Sequence, residues 1–127
     1  MRALADTSLF IAHEKRRPIS NAVPDELLVS VVTIGELALG VVLADDPEKR
    51  AQRLATITFV QTQFQPLSID EAAAQAWAGL VGALRRAGRK APINDTWIAA
   101  IALSRDLPVV TQDDDYDGMP GLEVIRV

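Results

Sequence analysis

Apolar residues along this chain fall into short extended runs that alternate with stretches of helical spacing. Arg2 to Ala5 predicts a first short strand, and a helix follows from about Thr7 to Lys15, closed by Arg16-Arg17-Pro18. Leu27 to Val31 is an aliphatic run suited to a buried strand. Thr33-Ile34-Gly35-Glu36 then opens a helix reaching about Leu43. Asp46-Pro47 places a capping carboxylate before a proline at the first helical position, starting a helix to about Gln63. Pro66-Leu67-Ser68 is a brief extended segment. Ser68-Ile69-Asp70-Glu71 has capping-box spacing and opens an alanine-rich helix to about Ala87, with Gly88 as its stop. Pro92-Ile93-Asn94 leads into another helix through Ser104, which carries Trp97, Ile98, Ile101 and Ala102 at helical spacing. Leu107 to Thr111 and Glu123 to Val127 are the last strands.

Strands that alternate with helices predict an α/β fold with a mainly parallel sheet. The 127 residues suit one domain spanning 1–127, without an internal repeat or linker. In such sheets, sites lie beyond the carboxyl ends of the strands. That rule directs attention to acids flanking the apolar runs: Asp6 after the first strand, Glu36 early in the second helix, Asp95 before Ile98, and Asp113 after Thr111. Carboxylates gathered at one edge repel one another unless a cation or protons offset their charge. Oxygen donors without His or Cys suit Mg²⁺ or Mn²⁺, which makes metal-dependent phosphoryl transfer the chemistry to test.

Each acid also has an ordinary reading. Thr33-x-x-Glu36 fits a capping box, Asp6 could cap the helix at Thr7, and Asp95 suits a first turn through the helix dipole. Asp113 to Asp115 could form a solvated turn before Gly118.

Composition narrows the alternatives. A chain that is 49% hydrophobic and 24% charged is globular, and no apolar stretch approaches the ~20 residues a membrane helix needs. The start reads as a strand and not as a cleavable signal. With no cysteine, disulfide and thiolate chemistry drop out, which is compatible with the expected cytoplasmic location. The lone His13 sits at the polar end of the first helix and cannot build a zinc site alone. The serines lack a Gly-x-Ser-x-Gly setting, and no phosphate-binding glycine loop is present. A receiver domain would need an acidic pair after the first strand, whereas Thr7 and Ser8 follow Asp6.

A net charge of −4 excludes a uniformly basic coat but not a local basic rim. Arg85, Arg86, Arg89 and Lys90 form the densest basic run, read either as charge complementing a helix C-terminus or as a phosphate-binding rim for RNA. Leu37 to Leu43 is apolar on nearly every side, so that helix is deeply buried or covered by a partner, with Phe59, Val60 and Phe64 extending the surface.

Four segments carry a family resemblance. They are Asp6-Thr7-Ser8, Thr33-Ile34-Gly35-Glu36-Leu37 with Gly40, Asn94-Asp95-x-x-Ile98-Ala99-Ala100, and Val110-Thr111-x-Asp113-x-Asp115-Tyr116. In this order and spacing the chain resembles the PIN-domain nucleases, and in particular the bacterial VapC toxins, up to Gly121-Leu122-Glu123-Val124. The resemblance implies a three-layer α/β/α sandwich and a Mg²⁺- or Mn²⁺-dependent endoribonuclease that cuts tRNA, rRNA or mRNA. It also implies a cognate VapB antitoxin and a homodimer. By position, Asp6, Glu36, Asp95 and Asp113 fall on the family's acidic quartet, and Asp115 on a further acid found in many members. Asp6, Asp95, Asp113 and Asp115 are then the expected metal ligands, with Thr7 and Thr111 donating hydrogen bonds that orient them. The competing expectation is a non-catalytic PIN-like module that binds RNA or protein and uses its acids as caps.

Overall fold

The computed structural model, which describes residues 1–127, holds four strands and five helices. In order they are β1 (Arg2–Ala5), α1 (Thr7–Glu14), β2 (Glu26–Leu28), α2 (Val31–Val42), α3 (Pro47–Gln63), α4 (Glu71–Arg86), α5 (Ile93–Ser104), β3 (Val109–Thr111) and β4 (Val124–Arg126). All strand pairs are parallel and the sheet order is β2-β1-β3-β4.

The period of two along a strand divides the core. Leu4 and Val109 face one layer, where Leu80 and Leu84 of α4 and Ile98 and Ile101 of α5 pack. Ala3, Ala5 and Val110 face the other, against Leu9, Phe10, Leu37, Ile57 and Val60 from α1, α2 and α3. Both faces of the sheet are thus covered, as a parallel sheet requires, and the result is a three-layer α/β/α sandwich. No helix is long and apolar enough to cross a membrane.

Three boundaries differ from the sequence reading. α2 begins at Val31, because the Ser30 hydroxyl accepts from the Thr33 backbone N–H at 3.3 Å and caps the helix earlier than expected. β2 accordingly stops at Leu28, and the chain continues its pairing through a parallel bridge between Ser30 and Leu67. α4 is capped by Asp70, which accepts from Ala73 N–H at 2.9 Å; Ser68 stands outside the helix. Elsewhere the signals hold: Asp46 caps α3 ahead of Pro47, and Gly88 takes a φ of 69° just past α4. There the N–H of Arg89 bonds to Leu84 O and that of Gly88 to Arg85 O, the paired bonds of a Schellman stop.

One consequence positions the site. From β1 the chain moves outward to β2 on one side, while β3 pairs with β1 on the other. The strand order therefore reverses between β1 and β3, and a crevice opens at their carboxyl ends. Asp6 immediately follows β1, and Asp113 lies two residues beyond β3.

Candidate active site

A cleft of about 310 Å³ opens at that reversal, and Asp6, Glu36, Asp95 and Asp113 all line it. The four come from different segments, and hydroxyl groups contact the carboxylates of Asp6, Glu36 and Asp95. Asp6 is 3% exposed and is the most constrained. Its Oδ1 accepts from the Tyr116 hydroxyl at 2.7 Å, and its Oδ2 from the Thr111 hydroxyl at 3.0 Å and from Ser8 N–H at 3.3 Å. The Ser8 hydroxyl lies 3.2 Å from that of Thr111 and accepts from Gln112 N–H.

Glu36 sits on a second hydroxyl chain. Thr7 donates to its Oε1 at 2.6 Å, while the Thr33 hydroxyl stands 2.9 Å from that of Thr7. Asn94 reaches Oε2 at 3.4 Å. Because Ser30 caps α2, Glu36 is left out of the capping box that its spacing suggested and faces the cleft instead. Asp95 lies in the first turn of α5, half-buried, with the Tyr116 hydroxyl 3.3 Å from its Oδ1. Asp113 is exposed, and its N–H donates to the Thr111 hydroxyl at 3.0 Å. Asp114 and Asp115 are exposed and do not line the cleft. Of the four acids, only Asp6 caps a helix through its side chain.

Negative charge in the cleft is in excess. Asp95 is pushed up to about 6, first by burial and then by the charges of Asp6, Asp115 and Glu36. Asp113 is also raised, by desolvation and by Asp6, Asp115 and Asp114, with Arg126 opposing. Burial and the two neighbouring aspartates raise Tyr116 as well, so its phenol stays protonated and serves as a donor. No three carboxylates close around a single point in this arrangement, so an ion here would complete its coordination with water. Hard oxygen donors and an excess of negative charge are of the kind that suits Mg²⁺ or Mn²⁺.

The basic residues are arranged differently from the sequence expectation. Arg85, Arg86, Arg89 and Lys90 are exposed, and none lines the cleft. Arg89 is committed elsewhere, donating to Gly118 O at 2.6 Å and Asp117 O at 2.9 Å. The cation that does line the cleft is Arg17, which takes part in none of the molecule's four ion pairs. Sequence reasoning read Arg16-Arg17-Pro18 only as a helix end. It quoted Tyr116 in a motif but gave it no role, although a lone tyrosine in an acidic loop is a signal, since a buried phenol needs a partner.

The PIN domain family model matches residues 3–122. This chain belongs to the PIN-domain family. It is 50% identical over 131 residues to Ribonuclease VapC4 of Mycobacterium tuberculosis, covering 99% of this chain and 97% of that protein. Ribonuclease VapC5 of the same organism is 48% identical, covering 96% and 93%. Among solved structures, the VapBC-5 toxin–antitoxin complex of M. tuberculosis matches this PIN domain with a TM-score of 0.86 at 43% identity, over 99% of this chain and 98% of that one. DNA-bound VapBC from Salmonella typhimurium shares the PIN fold at 23% identity, with a TM-score of 0.84 and coverage of 99% and 98%.

Proposed function

We propose that this PIN domain is a Mg²⁺- or Mn²⁺-dependent endoribonuclease and the toxin of a VapBC-type module. The observation that carries the reading is the convergence of Asp6, Glu36, Asp95 and Asp113 from four segments on one cleft, with Asp95 raised first by burial and then by neighbouring carboxylates. The names and complexes of its relatives support the same reading. The non-catalytic alternative needs the acids to be caps, and three of them make no such bond.

Asp6, Asp95 and Asp113 would hold the ion, directly or through water, with Asp115 adding charge from the loop. When bound, the ion favours hydroxide over water and offsets charge on the phosphodiester in flight. Glu36, fixed by Thr7 at 2.6 Å, takes the proton of the attacking water or orients it toward phosphorus. Thr111 holds Asp6 from the opposite side. Arg17, on the wall of the cleft, is suited to an RNA phosphate.

A VapB-type antitoxin is the expected partner. An apolar groove lined by Ile11, Leu37, Leu39 and Leu43 runs beside α2 and shares Ile11, Glu36 and Leu39 with the acidic cleft. A chain lying there would reach the acids and block RNA. A homodimer of the toxin is part of the same reading.

The deciding experiment incubates purified protein with RNA in Mg²⁺ or Mn²⁺, and in chelator, and sequences the ends produced. Asp6→Asn and Asp95→Asn should each lower cleavage at least ~100-fold. Cleavage at the native rate by either variant, or in chelator, would overturn the assignment.

A further inference from the structure

Tyr116 contributes no carboxylate, yet it touches both acids at the floor of the cleft. Its ring is fully buried in the core layer formed with Leu4, Leu84, Ile98 and Val109. Its hydroxyl lies behind the cleft wall, 2.7 Å from Asp6 Oδ1 and 3.3 Å from Asp95 Oδ1. These two aspartates arrive on unrelated elements, one after β1 and the other in α5, so nothing in the backbone ladder fixes their separation.

The loop that carries Tyr116 is itself anchored. Arg89 grips the carbonyls of Asp117 and Gly118, Asp117 N–H bonds to Asp114 O, and Met119 N–H bonds to Tyr116 O. Gly118, at φ 76°, permits this grip, because a Cβ there would lie 2.8 Å from Arg89 Nη1. The phenol oxygen therefore has little freedom to follow either carboxylate.

We infer that Tyr116 is a positioning residue that ties Asp6 and Asp95 to one rigid phenol and so preorganises the pair for a divalent ion. The brace rests on the metal-dependent reading above. The arithmetic of hydrogen bonds shows how it works. A carboxylate offers about four lone-pair sites. Tyr116, Thr111 and Ser8 occupy three on Asp6, which is rigid and leaves about one site free. Asp95 has a single, longer contact, to the phenol, so most of its sites stay open. One phenol hydrogen serves one acceptor at a time, and the shorter distance gives it to Asp6. The longer contact to Asp95 forms when the hydrogen turns that way, which tethers Asp95 without saturating it. Preorganised ligands lose less freedom when an ion arrives.

The test is Tyr116→Phe, which keeps the ring and deletes the hydroxyl. Mn²⁺ binding is measured by calorimetry, and binding of RNA in chelator alongside it. The variant should bind Mn²⁺ roughly ten-fold more weakly while its chelator-state affinity for RNA stays the same. Equal Mn²⁺ affinity in both proteins would overturn the brace while leaving the metal reading intact. Failure of the wild-type protein to bind Mn²⁺ would instead remove the metal reading and the brace with it. Since the chain has one tyrosine, 3-fluorotyrosine incorporation labels that ring alone, which decides the matter even if Tyr116→Phe does not fold. Saturating Mg²⁺ should move the fluorine resonance of the otherwise native protein. A resonance that stays fixed while calorimetry records Mg²⁺ binding would rule the brace out.

Discussion

At the scale of residues, the cleft is a set of charges whose repulsion the fold must bear. Asp95 titrates at about 6 in the folded protein against an ordinary 3.8, so the folded state holds the proton more tightly than the unfolded chain does. Ionised Asp95 therefore destabilises the metal-free protein at pH 7, and the penalty fades as pH falls through 6 toward 3.8. A fully buried group with that difference would represent ~3 kcal/mol. Asp95 is half-exposed, and screening reduces this to about 1 kcal/mol. In chelator at pH 7, Asp95→Asn should thus melt about 3 °C above the native protein, with the gap closing toward pH 4. A gap that widens on acidification would contradict the sign. Arg17 offers a second measurement. Arg17→Ala should weaken RNA binding roughly three- to ten-fold and lower its salt slope by about 1, whereas Arg86→Ala should change neither.

These residues also separate what was legible in the sequence from what was not. The acids could be found because each sits at the end of an apolar run, where strand or helix geometry dictates its place. Tyr116 and Arg17 matter through neighbours remote in sequence; the partners of Tyr116 are 110 and 21 residues away. Arg89 misled for a similar reason. Its carbonyl partners lie 29 and 28 residues on, so from the sequence it resembled a free cation beside Arg85, Arg86 and Lys90.

At the scale of elements, helix ends govern what faces the cleft. α1 ends with the paired bonds seen after α4: Arg16 N–H to His13 O and Arg17 N–H to Ala12 O. Here the left-handed residue is Arg16 at φ 55°, where most such stops use glycine. This turn returns the chain so that Arg17 lines the cleft. Relief of the side-chain clash predicts that Arg16→Gly raises stability by about 0.5–1 kcal/mol, with Gly88→Ala lowering it by about 1–2 kcal/mol. Denaturant midpoints would check both. The start of α2 was hidden for a local reason. Ser30 lies inside an apolar run, and only its pairing with Leu67 shows that the strand ends before it and the helix begins after it.

At the scale of the whole molecule, two surfaces meet. The aliphatic helix over Leu37 to Leu43 proves half-buried: Leu37 enters the core, while Leu39 and Val42 are 54% and 75% exposed. Phe59 is exposed but lines a separate groove with Phe10 and His13, and Val60 is buried, so the apolar surface is narrower than its sequence suggested. Apolar side chains in contiguous exposure mark a covered face. Leu39→Asp with Val42→Asp should leave folding and RNA cleavage near native but reduce affinity for the cognate VapB-type antitoxin at least ~30-fold, as measured by titration of cleavage. Unchanged inhibition would place the antitoxin elsewhere.

The sheet order has a consequence in time as well as in space. β3 occupies a central position beside β1, yet it and the loop bearing Asp113 and Tyr116 are synthesised only after all five helices. A nascent chain that has reached Ser104 has made Asp6, Glu36 and Asp95 but has no strand to seat between β1 and β4, and no phenol between the first two aspartates to meet. The cleft cannot close before the chain has been made through Tyr116, and a product cut short after α5 carries most of the acids without the means to bring them together.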